Sequence, residues 1–506
     1  MILIFSSIFF DTREVWSHLA TTVLPDYIFN SLSLMLGVGF GVLVIGVGTA
    51  WLVSACSFRG SRLFEWMLVL PLAAPAYLLA YTYTNMLDFY GPVQTWLRQI
   101  FGWSSATDYW FPNIRGLGGA IVMLALVLYP YVYLLARVAF LEQSARTLEA
   151  SRSLGCSPWR SFFIIALPLA RPSILAGLAL AIMETLNDVG TVEYFGVTTF
   201  TLGIYRTWRF MNAAAAAAQL AVVLTLFVLF LIWLERLSRR QAKYYQTGGT
   251  YQQVAKYQLG WWRGTLAFFA CLVPVILGFF LPAGYLLQMT IANAKQTLQN
   301  DFFSLAFNSF TLAVVTALIT VAISLIMAYG QRLNPNLGMR LSVSIASIGY
   351  AVPGSVIAMA ILIAVARFNI PIAALVFAFV VRFLSVAFGA VESSLGKIKP
   401  SLDDASRSLG HNSTSTMLKV HAPLMWGGML SAGMLVFVDV MKELPASFAI
   451  RPLNFNTLAV RVYQYASDER LIDASAPALA IVLVGIIPVI LLSWKITQSR
   501  PDSKSF

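Results

Sequence analysis

Charge is scarce in this chain. Asp, Glu, Lys and Arg together make up 11% of 506 residues, against about 25% in a soluble domain. Histidine and cysteine are scarcer, with three of each. Cys56, Cys156 and Cys271 have neither metal-ligand spacing nor a pairing pattern, which excludes a disulfide framework. His18, His411 and His421 are scattered, and His421 reads as a solvated or interface residue. No G-x-x-x-x-G-K-[ST] loop occurs, so the chain carries no phosphate-cradling site of that kind. With no His/Cys cluster either, no nucleophile, metal or phosphate site marks it as an enzyme.

Apolar residues fill the space. They make up 58% of the chain, and the mean hydropathy is +0.75, so the expected fold class is an all-α polytopic membrane protein. Segments of about 20 apolar residues are predicted to span near 31–54, 65–84, 118–140, 172–190, 216–235, 264–288, 308–330, 341–365, 371–392, 424–446 and 475–494. Residues 1–10 are apolar but too short to span. They read as the tail of a spanning helix or as a short interfacial anchor, within an N-terminal segment 1–27.

Two polar stretches interrupt this pattern and match each other. Leu148–Pro168 reads LEASRSLGCSPWRSFFIIALP, and Asp403–Pro423 reads DDASRSLGHNSTSTMLKVHAP. Gly155 and Gly410 suit helix C-caps. Ser157-Pro158 and Asn412 suit the start of a following helix. The net charge of +12 is spread over short loops and signals orientation, not nucleic-acid binding. Of 34 Lys and Arg, 22 fall on the side of these two stretches and 10 on the other, so both stretches face the cytoplasm.

The duplication extends further. Asn30-Ser31-Leu32-Ser33-Leu34 matches Asn308-Ser309-Phe310-Thr311-Leu312, and Pro75 matches Pro353. Both halves run in the same direction, which makes the repeat a parallel one. The first half carries extra aromatic residues around 88–116. The expected domains are 28–235 and 304–494, joined by a basic linker 236–262 and an additional span with its outer loop at 263–303, and followed by a tail 495–506.

Charges within spans point to function by default. Glu184 and Asp188 precede Gly190 in the first half, and Asp439, Lys442 and Glu443 precede Pro445 in the second. The i, i+4 spacing of each acid pair predicts one shared helix face. Two readings stay open: these residues line a translocation path, or they pair with one another to hold helices together. Arg382, inside a span, is expected to face one of these acids, and the helices are expected to end or kink at Gly190 and Pro445.

Glu149-Ala150-Ser151, Gly155, Ile165 and Leu167-Pro168 resemble the E-A-A…G…I-x-L-P signature of the membrane subunits of bacterial ABC importers. Asp404-Ala405-Ser406, Gly410, Val420 and Ala422-Pro423 repeat it with mild departures. Residues 184–208, 441–452 and 15–34 are similar to ferric-iron importer permeases of the fused two-domain type. The resemblance implies two type I importer transmembrane domains with eleven or twelve spans. It also implies two copies of a separate cytoplasmic ATPase that consumes the ATP, a periplasmic substrate-binding protein, and a place in the bacterial inner membrane. No cofactor or fixed metal is implied in this chain. Thiamine and phosphonate permeases share the fused form and remain alternative substrate classes. A secondary transporter would not need duplicated docking loops.

Overall fold

The computed structural model describes residues 6–142, 157–240, 256–298, 300–346, 349–350, 352–365, 370–396 and 398–498. Almost all of these are helical. The chain runs through α1 (Arg13–Thr22), α2 (Leu24–Ala55), α3 (Ser61–Met67), α4 (Ala76–Leu87), α5 (Pro92–Phe101), α6 (Leu117–Glu142), α7 (Leu167–Asn187), α8 (Gly190–Tyr194), α9 (Phe200–Arg209) and α10 (Ala214–Arg240). It continues with α11 (Trp261–Val275), α12 (Leu281–Ala292), α13 (Asn300–Leu333), α14 (Leu337–Ala346), α15 (Gly354–Val365), α16 (Pro371–Gly396), α17 (Pro400–Ser408), α18 (Ala422–Lys442), α19 (Pro445–Ile450), α20 (Leu458–Ser467) and α21 (Leu471–Gln498). The strand structure among the described residues is a two-residue parallel bridge, Cys56–Ser57 with Tyr257–Gln258, which pins the end of the linker to the first half.

Nine helical segments among the described residues are long and apolar enough to cross a membrane. Two of the eleven expected spans are different. The segment expected at 65–84 is broken, with a 90° bend between Ser61–Ala73 and Ala76–Phe101. The segment expected at 341–365 is divided between the short helices α14 and α15. Pro75 and Pro353 stand immediately before α4 and α15. Proline cannot donate a backbone N–H and disfavours helix in the residue before it, so the two halves break at the same place for the same reason.

Each half is built on a triangle of long helices, α2–α6–α7 in the first and α13–α16–α18 in the second. The matched hydrogen bonds confirm the repeat atom by atom. Asn30 Nδ2 donates to the Thr198 carbonyl at 3.0 Å, and Asn308 Nδ2 to the Asn456 carbonyl at 3.2 Å. Ser31 Oγ accepts from Phe200 N–H at 2.9 Å, and Ser309 Oγ from Leu458 N–H at 2.7 Å. Thr199 and Thr457 then cap the helices that follow. On the opposite faces of α2 and α13, Phe29 and Phe40, like Phe307 and Leu318, are exposed where lipid would cover them.

The final helix of each half crosses to the other. α10 packs against α15, while α21 packs against α12 and the turn Leu70–Ala73. The extra aromatic residues of the first half form α5 and a stacked loop, with Trp103 between Phe101 and Tyr109.

The helices that follow the signature stretches begin with a device that the sequence reading missed. Phe162–Ala166 and Met417–His421 are single π-type turns, and each runs directly into α7 or α18 with Pro168 or Pro423 near its start. A proline ring clashes with the carbonyl four residues earlier in a regular α-helix, and the wider π turn relieves that clash. Ile276–Phe280 does the same before Pro282. These prolines therefore lie inside continuous spans, Trp159–Asn187 and Ser413–Lys442, which begin earlier than the 172–190 and 424–446 expected.

One buried ion pair anchors the first half. Arg137, 0% exposed, donates to Glu65 Oε2 at 2.5 Å, and Lys256 of the linker approaches Glu65 at 4.0 Å. Arg137→Met removes the buried guanidinium from the Glu65 carboxylate and is expected to cost at most about 3–5 kcal/mol. The double replacement Glu65→Gln/Arg137→Met should cost less. Thermal unfolding midpoints of the detergent-solubilised variants check the order, and equal midpoints for the single and double variants would contradict it.

Candidate functional site: an acidic cavity between the two halves

The two halves meet around a cavity of about 100 Å³. Glu184, Asn187 and Asp188 line it from the first half, and Asp439, Lys442, Glu443 and Arg382 from the second. All five residues predicted for the path thus reach one cavity, although they do not share helix faces as expected. α7 ends at Asn187 and α18 at Lys442, so Asp188 and Glu443 already occupy extended C-cap positions, with ψ of 131° and 123°.

The caps explain both carboxylates. Asp188 Oδ1 accepts from the N–H groups of Thr191 at 3.0 Å and Val192 at 3.1 Å, and Oδ2 accepts from the Thr191 hydroxyl. Glu443 Oε1 accepts from Ala446 N–H at 2.9 Å, and Oε2 from Ser447 N–H at 3.0 Å. Each acid satisfies the orphan amides that open the next short helix. The breaks expected at Gly190 and Pro445 are the starts of those helices, α8 and α19.

Cations are distributed unequally. Arg382 faces Glu443 as expected, with Nη1 at 3.1 Å from Oε1, and Lys442 Nζ lies 3.0 Å from Asp439. Four carboxylates therefore share the cavity with two basic side chains. No group of three or more His, Cys, Asp or Glu that could hold a metal ion occurs among the described residues.

At the end remote from the signature stretches the two halves touch. A Cβ on Gly190 would stand 2.9 Å from Tyr77 Cβ and 3.1 Å from Leu444 Cδ2, so only glycine allows this approach. Tyr205 meets Phe448 with ring centroids 6.1 Å apart, and Tyr463 donates from its hydroxyl to Glu193 at 2.5 Å.

The signature of the second half is a helix, a corner and a helix. α17 ends at Ser408, and Gly410 takes a φ of +81°, a left-handed conformation that is strained for residues with a Cβ. Asn412 Oδ1 accepts from Ser415 N–H at 2.8 Å and starts the next helix. Asp404 and Ala405 are exposed, while Ser406 is buried and its hydroxyl bonds Thr416 at 2.7 Å. In the first half, Glu149, Ala150, Ser151 and Gly155 lie outside the described residues. Pro168 is described, and Ser157 Oγ accepts from Arg160 N–H at 3.3 Å.

His421 is not solvated. It is 0% exposed, and its Nε2 lies 2.5 Å from Asp403 Oδ1. Arg332 binds Asp403 Oδ2 at 2.7 Å and also donates to the carbonyls of Leu395 at 2.8 Å and Ile398 at 3.0 Å. This anchor of Arg332, Asp403 and His421 went unseen in the sequence reading, which assigned the signature acid to Asp404. The doubled Asp403-Asp404 was the available signal.

Residues 21–243 match the family described as binding-protein-dependent transport system inner membrane component. The molybdenum transport system permease of Haemophilus influenzae is 30% identical over 222 residues, covering 42% of this chain and 93% of that relative. The chain belongs to the binding-protein-dependent inner membrane component family. The Fe(3+)-transport system permease protein of Haemophilus influenzae is 27% identical over 483 residues, 93% of this chain and 90% of the relative. The ferric transport system permease of Actinobacillus pleuropneumoniae is 23% identical over 532 residues, 99% of this chain and 76% of the relative. The chain is accordingly the permease subunit of an ABC importer of the inner membrane, a family that works with an ATPase and a substrate-binding protein.

Removing the acid at the centre of the anchor should uncouple this permease. Asp403→Asn leaves Arg332 and His421 without their charged partner and is expected to lower uptake about tenfold or more, with normal insertion in the membrane. Wild-type uptake by the variant would show that the anchor does not matter to coupling.

Proposed function

We propose that this permease carries ferric iron, released by a periplasmic binding protein, across the inner membrane. The observation that carries this reading is the excess of carboxylates over cations in the cavity between the halves. Carboxylate oxygen suits a hard cation, whereas an oxyanion such as molybdate would meet four acids. The ferric relatives span nearly the whole chain, and the molybdenum relative matches one half of it.

In this reading residues 28–235 and 304–494 are the two transmembrane domains. The linker is 236–262, the additional span with its outer loop is 263–303, and the tail is 495–506. Two copies of the ATPase consume the ATP. One docks at Glu149–Gly155 and the other at Asp404–Gly410, where the exposed Asp404, Ala405 and Leu409 offer a contact face. Closure of the ATPase pair moves α17, and the half-buried Asp403 anchor passes that movement to α18 and the cavity.

The test is radiolabelled ferric iron uptake by iron-limited cells whose other iron systems have been removed. The chain should restore uptake. Gly410→Val, which adds about 1–2 kcal/mol of left-handed strain, should restore less, and the double variant Gly155→Val/Gly410→Val the least. Absence of iron uptake with the unaltered chain would refute the substrate.

A further inference from the structure

In the register that aligns the two signatures, Glu184 stands opposite Asp439, Asp188 opposite Glu443, Asn187 opposite Lys442 and Val127 opposite Arg382. All eight line the one cavity. The acids are repeated between the halves, but the cations are not. On the second wall Arg382 and Lys442 pair directly with Glu443 and Asp439, and both also act at longer range on Glu184. On the first wall the same two positions are held by valine and asparagine. Neither Glu184 nor Asp188 forms a salt bridge among the described residues.

Asn187 adds an independent observation. Its side chain lines the cavity and the residue is 3% exposed, yet neither Nδ2 nor Oδ1 has a hydrogen-bond partner. Buried amide groups are rarely left unpaired, because the lost hydrogen bonds with water are not replaced. An amide oxygen beside two carboxylates is a donor set for a hard cation. A lysine at that position, as in the second half, would occupy the place of the ion.

We infer that the cavity is one-sided: the Asn187 amide, with Glu184 and Asp188, is the wall that contacts the translocating cation, and the second wall is internally paired. This rests on the cation reading above. Asn187 then determines specificity, because it supplies a neutral oxygen where the repeat places an ammonium group.

The test compares ferric iron uptake with binding-protein-stimulated ATP hydrolysis, both in proteoliposomes holding the permease with its ATPase. Asn187→Leu, which removes the unpaired amide without adding charge, should lower iron uptake about tenfold, with stimulated hydrolysis retained. Asn187→Lys should do the same, and Asn187→Asp should keep most of the uptake. The exchange Asn187→Lys/Lys442→Asn leaves the net charge of the cavity unchanged and should stay low. Recovery of uptake in the exchange variant would show that only net charge matters and overturn the one-sided wall. Wild-type uptake in Asn187→Leu would also overturn it. An unaltered chain that carries molybdate and not iron would instead refute the cation reading, and this site with it.

Discussion

The structure depends on how two long helices end. α7 and α18 each end at the rim of the cavity, where the next residue is a carboxylate. Asp188 and Glu443 take the amides of the next turn and so fix the directions of α8 and α19. Those short helices bring Gly190 against Leu444. The carboxylates are held in place by backbone amides. Of the residues that the sequence left between structural pairing and path lining, Asp188 and Glu443 hold backbone amides, Asp439 pairs with Lys442, and all of these border the cavity.

The same helices connect the cavity to the docking corners. Ser413–Lys442 is 30 residues long, roughly 45 Å at 1.5 Å per residue. At its base the π turn admits Pro423 without breaking the helix, and His421 within that turn holds Asp403 of the docking helix. Arg332 ties the same carboxylate to the end of α13 and to the carbonyls around the end of α16. α17 is therefore tied to the helix triangle by charged, half-buried contacts. At the sequence positions that match Asp403 and His421 the first half has Leu148 and Ala166.

Much of this was legible in the sequence where polar residues interrupt apolar segments. The matches of Asn30 with Asn308 and Ser31 with Ser309 foretold bonds that recur in the structure. Arg382 had to meet an acid, because a buried charge needs a partner. Other features depended on information that the hydrophobic pattern does not contain. Average apolarity cannot separate one straight span from two short helices, so the breaks at Pro75 and Pro353 were read as continuous spans. The i, i+4 rule failed at Asp188 and Glu443, because it assumes a helix that has already ended there. The burial of His421 depends on Arg332 and Asp403, which lie far from it or on the other side of a corner in sequence. The emptiness around the Asn187 amide is visible only once both halves surround it.

If the cargo passes between the two halves, the contacts between α9 and α19 must separate during transport. Tyr205→Cys and Phe448→Cys, in a chain whose three cysteines are replaced by serine, place two thiols across those contacts. Uptake is then measured after treatment with a short bifunctional thiol reagent whose bridge can be cleaved. The bridge should form without ATP, stop uptake, and release it again when cleaved. Uptake at the unbridged rate in fully bridged protein would contradict it.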